Sequence, residues 1–109
     1  MDEWAGIDQQ EVLDRFRGCK QTVARYMGLM LADFEKRLPP VQQQIDAGNF
    51  TFACEQLHTM VGSASSMAVF ELVDLCRQCE LECKQGKGDS ALASMARIQA
   101  FVSSLALKW

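Results

Sequence analysis

Apolar residues recur along most of the chain with the spacing of an α-helix, at i, i+3, i+4 and i+7, and they form four stripes. The stripes are, in chain order, Val23, Met27, Met30, Phe34, Val41 and Ile45; Ala53, Leu57, Met60, Ala64 and Met67; Val69, Val73, Cys76 and Cys83; and Leu92, Met95, Ile98, Val102 and Leu105. No segment shows the alternation that is typical of a strand. The pattern therefore predicts four amphipathic helices, each with one face to bury.

Capping residues predict two helix boundaries near the amino terminus. Asp8 followed by Glu11 has the spacing of a capping box, in which the two side chains bond reciprocally to backbone N–H groups. This predicts a short helix that runs through Phe16 and stops at Gly18. The first long helix is expected to begin near Lys20.

Prolines, glycines and one asparagine predict the remaining boundaries. The sequence LPP at 38–40 should kink or break the long helix, because proline lacks an N–H and its ring clashes with the preceding turn. Asn49 is the expected N-cap of the third helix. The fourth helix is expected over 69–84, the glycines of KQGKGD predict a loop, and the last helix is expected over 90–107.

Four long helices with short connections indicate an all-α fold, an up-and-down antiparallel four-helix bundle with a short extra N-terminal helix. The chain, 1–109, is expected to form a single domain in which residues 1–6 are a loose N-terminus. The boundary between the third and fourth helices is the least marked, since SSMAVFE has no glycine or proline. One continuous helix over 50–84 is the alternative. It is disfavoured because so long a helix would have to bury its face against two different partners.

Composition restricts the class of protein. With 109 residues, of which 49% are hydrophobic, the chain has enough apolar side chains for a core, so intrinsic disorder is not expected. A formal net charge of −3 argues against a nucleic-acid surface, which needs a basic patch. No apolar run approaches the ~20 residues that span a bilayer, and the acidic start MDEWAGIDQQ lacks the plan of a signal peptide. A cytoplasmic location without membrane insertion is the resulting expectation.

The cysteines favour a reducing compartment. There are five, an odd number, at Cys19, Cys54, Cys76, Cys79 and Cys83. The last three share one predicted helix, which does not suit a disulfide framework. Their spacing is also part of a zinc-ligand pattern that Cys54 or the histidine of the neighbouring helix would have to complete. Free cysteines packed as small hydrophobic side chains are the favoured alternative, and no metal ligand is assigned.

The single histidine, His58, follows the inward-facing Leu57 and so lies about 100° away, on the flank of the third helix. Its neighbours on that flank are Cys54, Val61, Gly62 and Ser65. A glycine inside a helix costs roughly 1 kcal/mol relative to alanine, and here it leaves open space beside the imidazole, where another protein can approach. A plain surface or boundary histidine is the alternative, since small residues also permit close packing of helices.

The segment HTMVGSASSMAVFELVDLCRQCE resembles the signature of the histidine-containing phosphotransfer (HPt) domain family. That signature is histidine, any residue, an apolar residue, lysine, glycine, two small residues, an apolar residue and usually a glycine. The matching positions are His58, Met60, Gly62, Ser63, Ala64, Met67, Leu72, Cys76 and Glu80. The upstream segments IDQQEVLDRF and FEKRLPPVQQQIDAGNF also fit, so the resemblance covers nearly the whole chain. Two positions depart from it: Val61 stands at the family's lysine and Ala68 at its glycine.

The resemblance implies a phosphocarrier of a two-component phosphorelay rather than an enzyme. His58 would take a phosphoryl group, at Nε2, from an aspartyl phosphate of one receiver domain and pass it to the aspartate of another. The implied partners are receiver domains of response regulators or a hybrid sensor histidine kinase, and the chain is expected to be a monomer. No cofactor is expected on this chain. Mg²⁺ is expected on the partner receiver, because no acidic cluster accompanies His58 in the sequence.

Other residues of the candidate site come from the predicted hairpin. A turn near residue 68 places position 58 across from about position 78. Glu80 lies on an otherwise apolar stripe and matches the family position from which a Glu or Gln reaches the histidine, so it is the expected orienting hydrogen-bond partner, with Gln78 as a substitute. Arg77 and Lys84 share one helix face and are candidates for positive charge near the phosphate. Solvated surface side chains are the alternative for the glutamate and the more common role for both cations.

Two other functions remain open. One is a helical docking or adaptor bundle whose His58 is never phosphorylated, which Val61 favours. The other is a metal-binding bundle built on the cysteines. A hydrolytic enzyme is disfavoured, because one histidine without a paired nucleophile and a pocket does not assemble a catalytic triad.

Overall fold

The computed structural model describes residues 4–109. It contains five helices, which are α1 (Gln9–Arg15), α2 (Lys20–Asp46), α3 (Phe50–Ser66), α4 (Phe70–Lys84) and α5 (Gly88–Ala106). Helices α2 to α5 form an antiparallel bundle in which consecutive helices pack together and α2 also packs against α5, while α1 lies against α2. The described residues contain no strand. The predicted all-α four-helix bundle with a short extra N-terminal helix is confirmed. None of the helices within 4–109 combines the length and hydropathy needed to cross a membrane.

The buried core consists of the predicted stripes. Every stripe residue is buried except Leu92, which is half-buried and packs against the core. Phe34 and Leu57 are among the largest fully buried side chains. Leu72 and Cys79 are buried as well, so the inward face of α4 is wider than its predicted stripe. This burial fixes the rotation of each helix and therefore decides which polar residues lie on its flanks.

Helix α1 begins as its sequence predicts. The Asp8 carboxylate accepts a hydrogen bond from the Glu11 backbone N–H at 3.0 Å, and Gly18 ends the segment with a φ of +76°. The reciprocal bond of a capping box is not formed, because the Asp8 N–H donates instead to the Ala68 carbonyl at 2.8 Å. This bond ties the start of α1 to the turn between α3 and α4.

Of the kink or break predicted at the prolines, the break is wrong, because α2 continues through Pro39 and Pro40 to Asp46. Both prolines are exposed, as are Glu35 and Lys36, whose carbonyls lose their N–H partners at the proline positions. Water can satisfy those two carbonyls at the surface. The apolar face stays buried before and after the prolines, so packing against the bundle holds the helix continuous.

The turn between α3 and α4 lies where the hairpin was predicted, and the alternative of a continuous helix over 50–84 is wrong. Ala68 adopts a left-handed conformation with a φ of +56° and is fully buried. The Val69 N–H donates to the Ala64 carbonyl at 3.0 Å, which satisfies one of the last carbonyls of α3. Alanine thus makes the turn that glycine makes in the family signature, at a cost of roughly 1–2 kcal/mol.

Three further expectations need correction. Asn49 occupies the N-cap position of α3, but its side chain bonds Gln44 Oε1 at 2.9 Å rather than the helix backbone. Helix α5 begins at Gly88, two residues before its predicted start. Of the predicted loose N-terminus, residues 1–3 lie outside the described residues. Residues 4–6 are not loose, since the Trp4 ring packs edge-on against Trp109 with ring centroids 5.1 Å apart.

Candidate functional site

His58 projects from the outer side of α3 beside α4. Its side chain is 81% exposed, whereas the preceding Leu57 is fully buried. The burial of Leu57 fixes the rotation of α3 and so turns the imidazole to the flank. An exposed ring in this position is accessible to another protein.

The carboxylate of Glu80 faces the inner nitrogen of this ring. Glu80 Oε2 lies 3.4 Å from His58 Nδ1, and the Glu80 side chain is only 14% exposed. Glu80 reaches this place because Cys76 and Cys83, on either side of it along α4, are buried and rotate it to the edge that faces α3. The contact is longer than a strong charge-assisted hydrogen bond. Because Nδ1 faces Glu80, Nε2 on the other side of the ring is directed away from it.

The same carboxylate also contacts a lysine. Lys84 Nζ lies 3.8 Å from the same Glu80 Oε2, and the lysine side chain is 62% exposed. Cys54, Glu55, His58, Glu80 and Lys84 line a shallow depression of about 380 Å³. The depression is open to solvent along the seam between α3 and α4.

Cys54 lies one turn before His58 at the floor of this depression. It is half-buried, and its Sγ contacts the Glu80 carbonyl oxygen at 3.8 Å. Burial, together with the negative charge of Glu80, raises the pKa of the Cys54 thiol. The thiol is therefore protonated at neutral pH and serves as a packing group between the two helices.

The surface of α3 beyond His58 is low. Gly62 is exposed, and a Cβ built on it would meet no atom within 4 Å. Val61 and Ser65 are half-buried between α3 and its neighbours. The glycine therefore leaves open space at the surface, and close packing of helices inside the bundle does not require it.

Two of the residues named on α4 do not line the depression. Gln78 is exposed on α4 and does not line the depression, so Glu80, not Gln78, faces the ring in the part of the chain that the structure describes. Arg77 is also exposed, one turn before Glu80, and takes part in none of the ion pairs found between residues 4 and 109.

One contact near the end of α3 has no local signature in the sequence. The guanidinium of Arg15 in α1 donates hydrogen bonds to the carbonyls of Ser65 at 2.5 Å and Ser66 at 2.9 Å. It thereby satisfies the last carbonyls of α3 and also pairs with Glu11 at 3.0 Å. The partners are 50 residues apart in the chain, beyond the reach of local sequence patterns.

The thiols of α4 are packed rather than arranged as ligands. Burial raises the pKa of Cys76 to about 12 and that of Cys83 to about 11, and it raises the pKa of Cys79 as well. Among residues 4–109, no group of three or more His, Cys, Asp or Glu side chains has an arrangement that could hold a metal ion. Zinc binding requires thiolates, so this arrangement disfavours the metal-binding alternative.

Comparison with known proteins identifies the family. A scan against protein-family models matches residues 25–107 to the Hpt domain. Searches of curated proteins and of solved structures found no match. The matched residues extend from within α2 through the end of α5 and include His58 and Glu80. Because the match covers most of a chain that folds as a helical bundle, this protein belongs to the Hpt domain family.

Proposed function

We propose that the chain is a histidine phosphocarrier, in which His58 takes a phosphoryl group from an aspartyl phosphate on one receiver domain and gives it to the aspartate of another. Membership of the Hpt domain family implies histidine phosphotransfer in a phosphorelay, and the chain has a single histidine. The observation that carries the proposal is an 81% exposed imidazole whose Nδ1 faces a mostly buried carboxylate at 3.4 Å.

The contact with Glu80 supports Nε2 as the attacking atom. A proton held on Nδ1 beside the carboxylate leaves the lone pair on Nε2, which is directed toward solvent. As the N–P bond forms, the P–O bond to the donor aspartate breaks and the aspartate leaves as a carboxylate. The proton stays on Nδ1, so the ring becomes positively charged and Glu80 offsets that charge. The return step to an acceptor aspartate follows the same path in reverse.

The remaining charges must accommodate a phosphoryl group. Glu80 alone would repel the phosphoryl oxygens, and Lys84, 3.8 Å from its carboxylate, reduces that repulsion. In this proposal Mg²⁺ belongs to the partner receiver, where it neutralises phosphoryl oxygens in a loose, in-line transition state. The chain itself supplies an oriented nucleophile and is a phosphocarrier rather than an enzyme.

The docking surface follows from the low relief around His58. We assign Cys54, Val61, Gly62 and Ser65 to the surface that a receiver domain covers, because they border the imidazole along α3. The exposed glycine allows the backbone of a partner to come close to Nε2. A monomeric chain keeps this surface available.

The test is transfer of labelled phosphate from a receiver domain that has been phosphorylated with labelled acetyl phosphate. Wild-type protein should acquire an acid-labile, base-stable label, as expected of phosphohistidine, and His58→Gln should acquire none. Circular dichroism should show that His58→Gln keeps the wild-type fold, since the side chain is outside the core. A label on the folded variant would contradict the assignment.

Val61 favours a second candidate function, a docking bundle that binds receivers without taking their phosphate. The lysine of the family signature is replaced there by an apolar, half-buried side chain. The same experiment separates the two functions. Wild-type protein that binds the receiver but remains unlabelled would support the docking function.

A further inference from the structure

A second cation lies one turn from Glu80 along the seam between α3 and α4. The contacts of Glu80 with His58 and with Cys54 fix the register of the two helices. Because the helices are antiparallel, one turn forward along α3 from His58, to Val61, runs in the same direction as one turn back along α4 from Glu80, to Arg77. Val61 and Arg77 thus lie on facing flanks in the next turn of the seam.

Arg77 lies on the same edge of α4 as Glu80 and Lys84, since positions i, i+3 and i+7 share one face of a helix. Lys84 is engaged with the Glu80 carboxylate. Arg77 is exposed and takes part in no ion pair between residues 4 and 109. It is therefore a cation available to an incoming group, on the opposite side of Glu80 from Lys84.

The charge balance of the depression explains why an incoming phosphoryl group needs a further cation. The carboxylates of Glu55 and Glu80 line the depression, and among residues 4–109 Lys84 is the only lysine or arginine that lines it. A phosphoryl group with its negative oxygens would enter a site that already has more negative than positive charge. A second cation one turn along α4 from Glu80 reduces this repulsion. An arginine suits the role because its planar fork can bind two phosphoryl oxygens at once.

We propose that Arg77 binds the phosphoryl oxygens during transfer and supplies from α4 the positive charge that α3 lacks at Val61. The proposal rests on the proposed function of His58, since it assigns a partner to the phosphoryl group that His58 receives. It makes Arg77 a second functional residue of this chain, distinct from the Glu80 and Lys84 pair.

The test compares initial rates of phosphoryl transfer to His58 from a receiver domain phosphorylated with acetyl phosphate, measured at saturating receiver concentration. Arg77→Ala should lower the rate about 3- to 10-fold, because the lost charge is exposed and partly screened. Arg77→Lys should keep most of the rate. Arg97→Ala is the matched control, since Arg97 is an exposed arginine of α5, and it should leave the rate unchanged.

Relocating the charge distinguishes a phosphate contact from a structural role. In the double variant Val61→Lys with Arg77→Ala, a lysine one turn from His58 should restore the rate to within about 2-fold of wild type. A higher salt concentration should reduce the difference between wild type and Arg77→Ala.

The outcomes separate this inference from the function on which it rests. Equal rates for Arg77→Ala and Arg97→Ala would overturn the role of Arg77 while leaving His58 as the phosphorylated residue. A slow Arg77→Ala that Val61→Lys fails to restore would also overturn it. Wild-type protein that acquires no label would overturn the proposed function and this inference together.

Discussion

At the scale of single residues, the proposed mechanism depends on which ring nitrogen of His58 holds the proton. The Glu80 carboxylate faces His58 Nδ1 at 3.4 Å, and in the proposed mechanism it holds the proton on Nδ1 and balances the charge that the ring gains on phosphorylation. Glu80→Gln keeps the length of the side chain but removes its charge. Transfer from a phosphorylated receiver should therefore become slower, on the order of tenfold or about 1.4 kcal/mol.

A control for this prediction is available within the same depression. Glu55→Gln removes a carboxylate that lines the depression, while Glu80 stays opposite Nδ1. Its transfer rate should be equal to or above that of wild type. Both variants should unfold at the same urea concentration as wild type within experimental error, since the partners of Glu80, which are His58 and Lys84, are mostly exposed and such pairs contribute little to stability. A Glu80→Gln variant that transfers at the wild-type rate would show that the charge of Glu80 plays no part in transfer.

At the scale of the element, Gly62 is an unfavourable residue within α3 that the packing of the bundle does not explain. A helix-interior glycine is unfavourable, yet a Cβ at this position would meet nothing within 4 Å, so packing does not require it. Gly62→Leu should leave stability unchanged or raise it by up to ~1 kcal/mol. It should block transfer from a receiver domain, because a leucine would fill the space beside the imidazole.

Gly28 in α2 provides the matched control. It too is a helical glycine with open space around its Cβ position, and it lies two turns before Glu35, which borders the groove between α2 and α5. Gly28→Leu should match Gly62→Leu in stability, as measured by urea unfolding, and keep normal transfer. Equal transfer by the two variants would place Gly62 outside the receiver footprint, and an unfolded Gly62→Leu would show that the glycine serves packing.

Helix phase is also what made much of the fold predictable. The spacing of Leu57 and its stripe predicted the inward face of α3, and burial of Cys76 and Cys83 places Glu80 opposite the imidazole. The prediction of a helix break at Pro39 and Pro40 failed, because the local penalty of the prolines is offset by burial of the apolar face of α2 on both sides of them. Tertiary packing outweighs local preference there, and a local pattern contains no information about it.

Long-range polar contacts were beyond prediction for a different reason. Arg15 bonds the last carbonyls of α3, and the Asp8 N–H bonds the Ala68 carbonyl, so α1 fastens the turn between α3 and α4. Neither contact has a periodic signature, since each depends on where a short helix docks. The left-handed Ala68 is similar: the hairpin was predictable, but the tolerance of alanine for that conformation depends on its tertiary surroundings.

At the scale of the whole molecule, the buried cysteines make the stability of the fold depend on pH. Cys76 and Cys83 are buried in α4, and burial raises their pKa values to about 12 and about 11, from an ordinary value of 9.0. A thiol whose pKa is higher in the folded state stabilises the fold fully below its unfolded value. That stabilisation is lost as the pH rises from about 9 toward the folded values, because the unfolded chain releases its protons first.

We therefore expect the free energy of unfolding to fall between pH 8 and pH 10, by on the order of 1 kcal/mol for each of these thiols. Urea unfolding at the two pH values, in the presence of a reductant, measures the fall. Cys76→Ala is expected to be less stable at both pH values because it leaves a cavity. Its free energy of unfolding should fall less between the two pH values than that of wild type, by the contribution of one thiol. Identical falls for the two proteins would mean that Cys76 ionises in the folded protein as readily as in the unfolded chain, and would contradict this prediction.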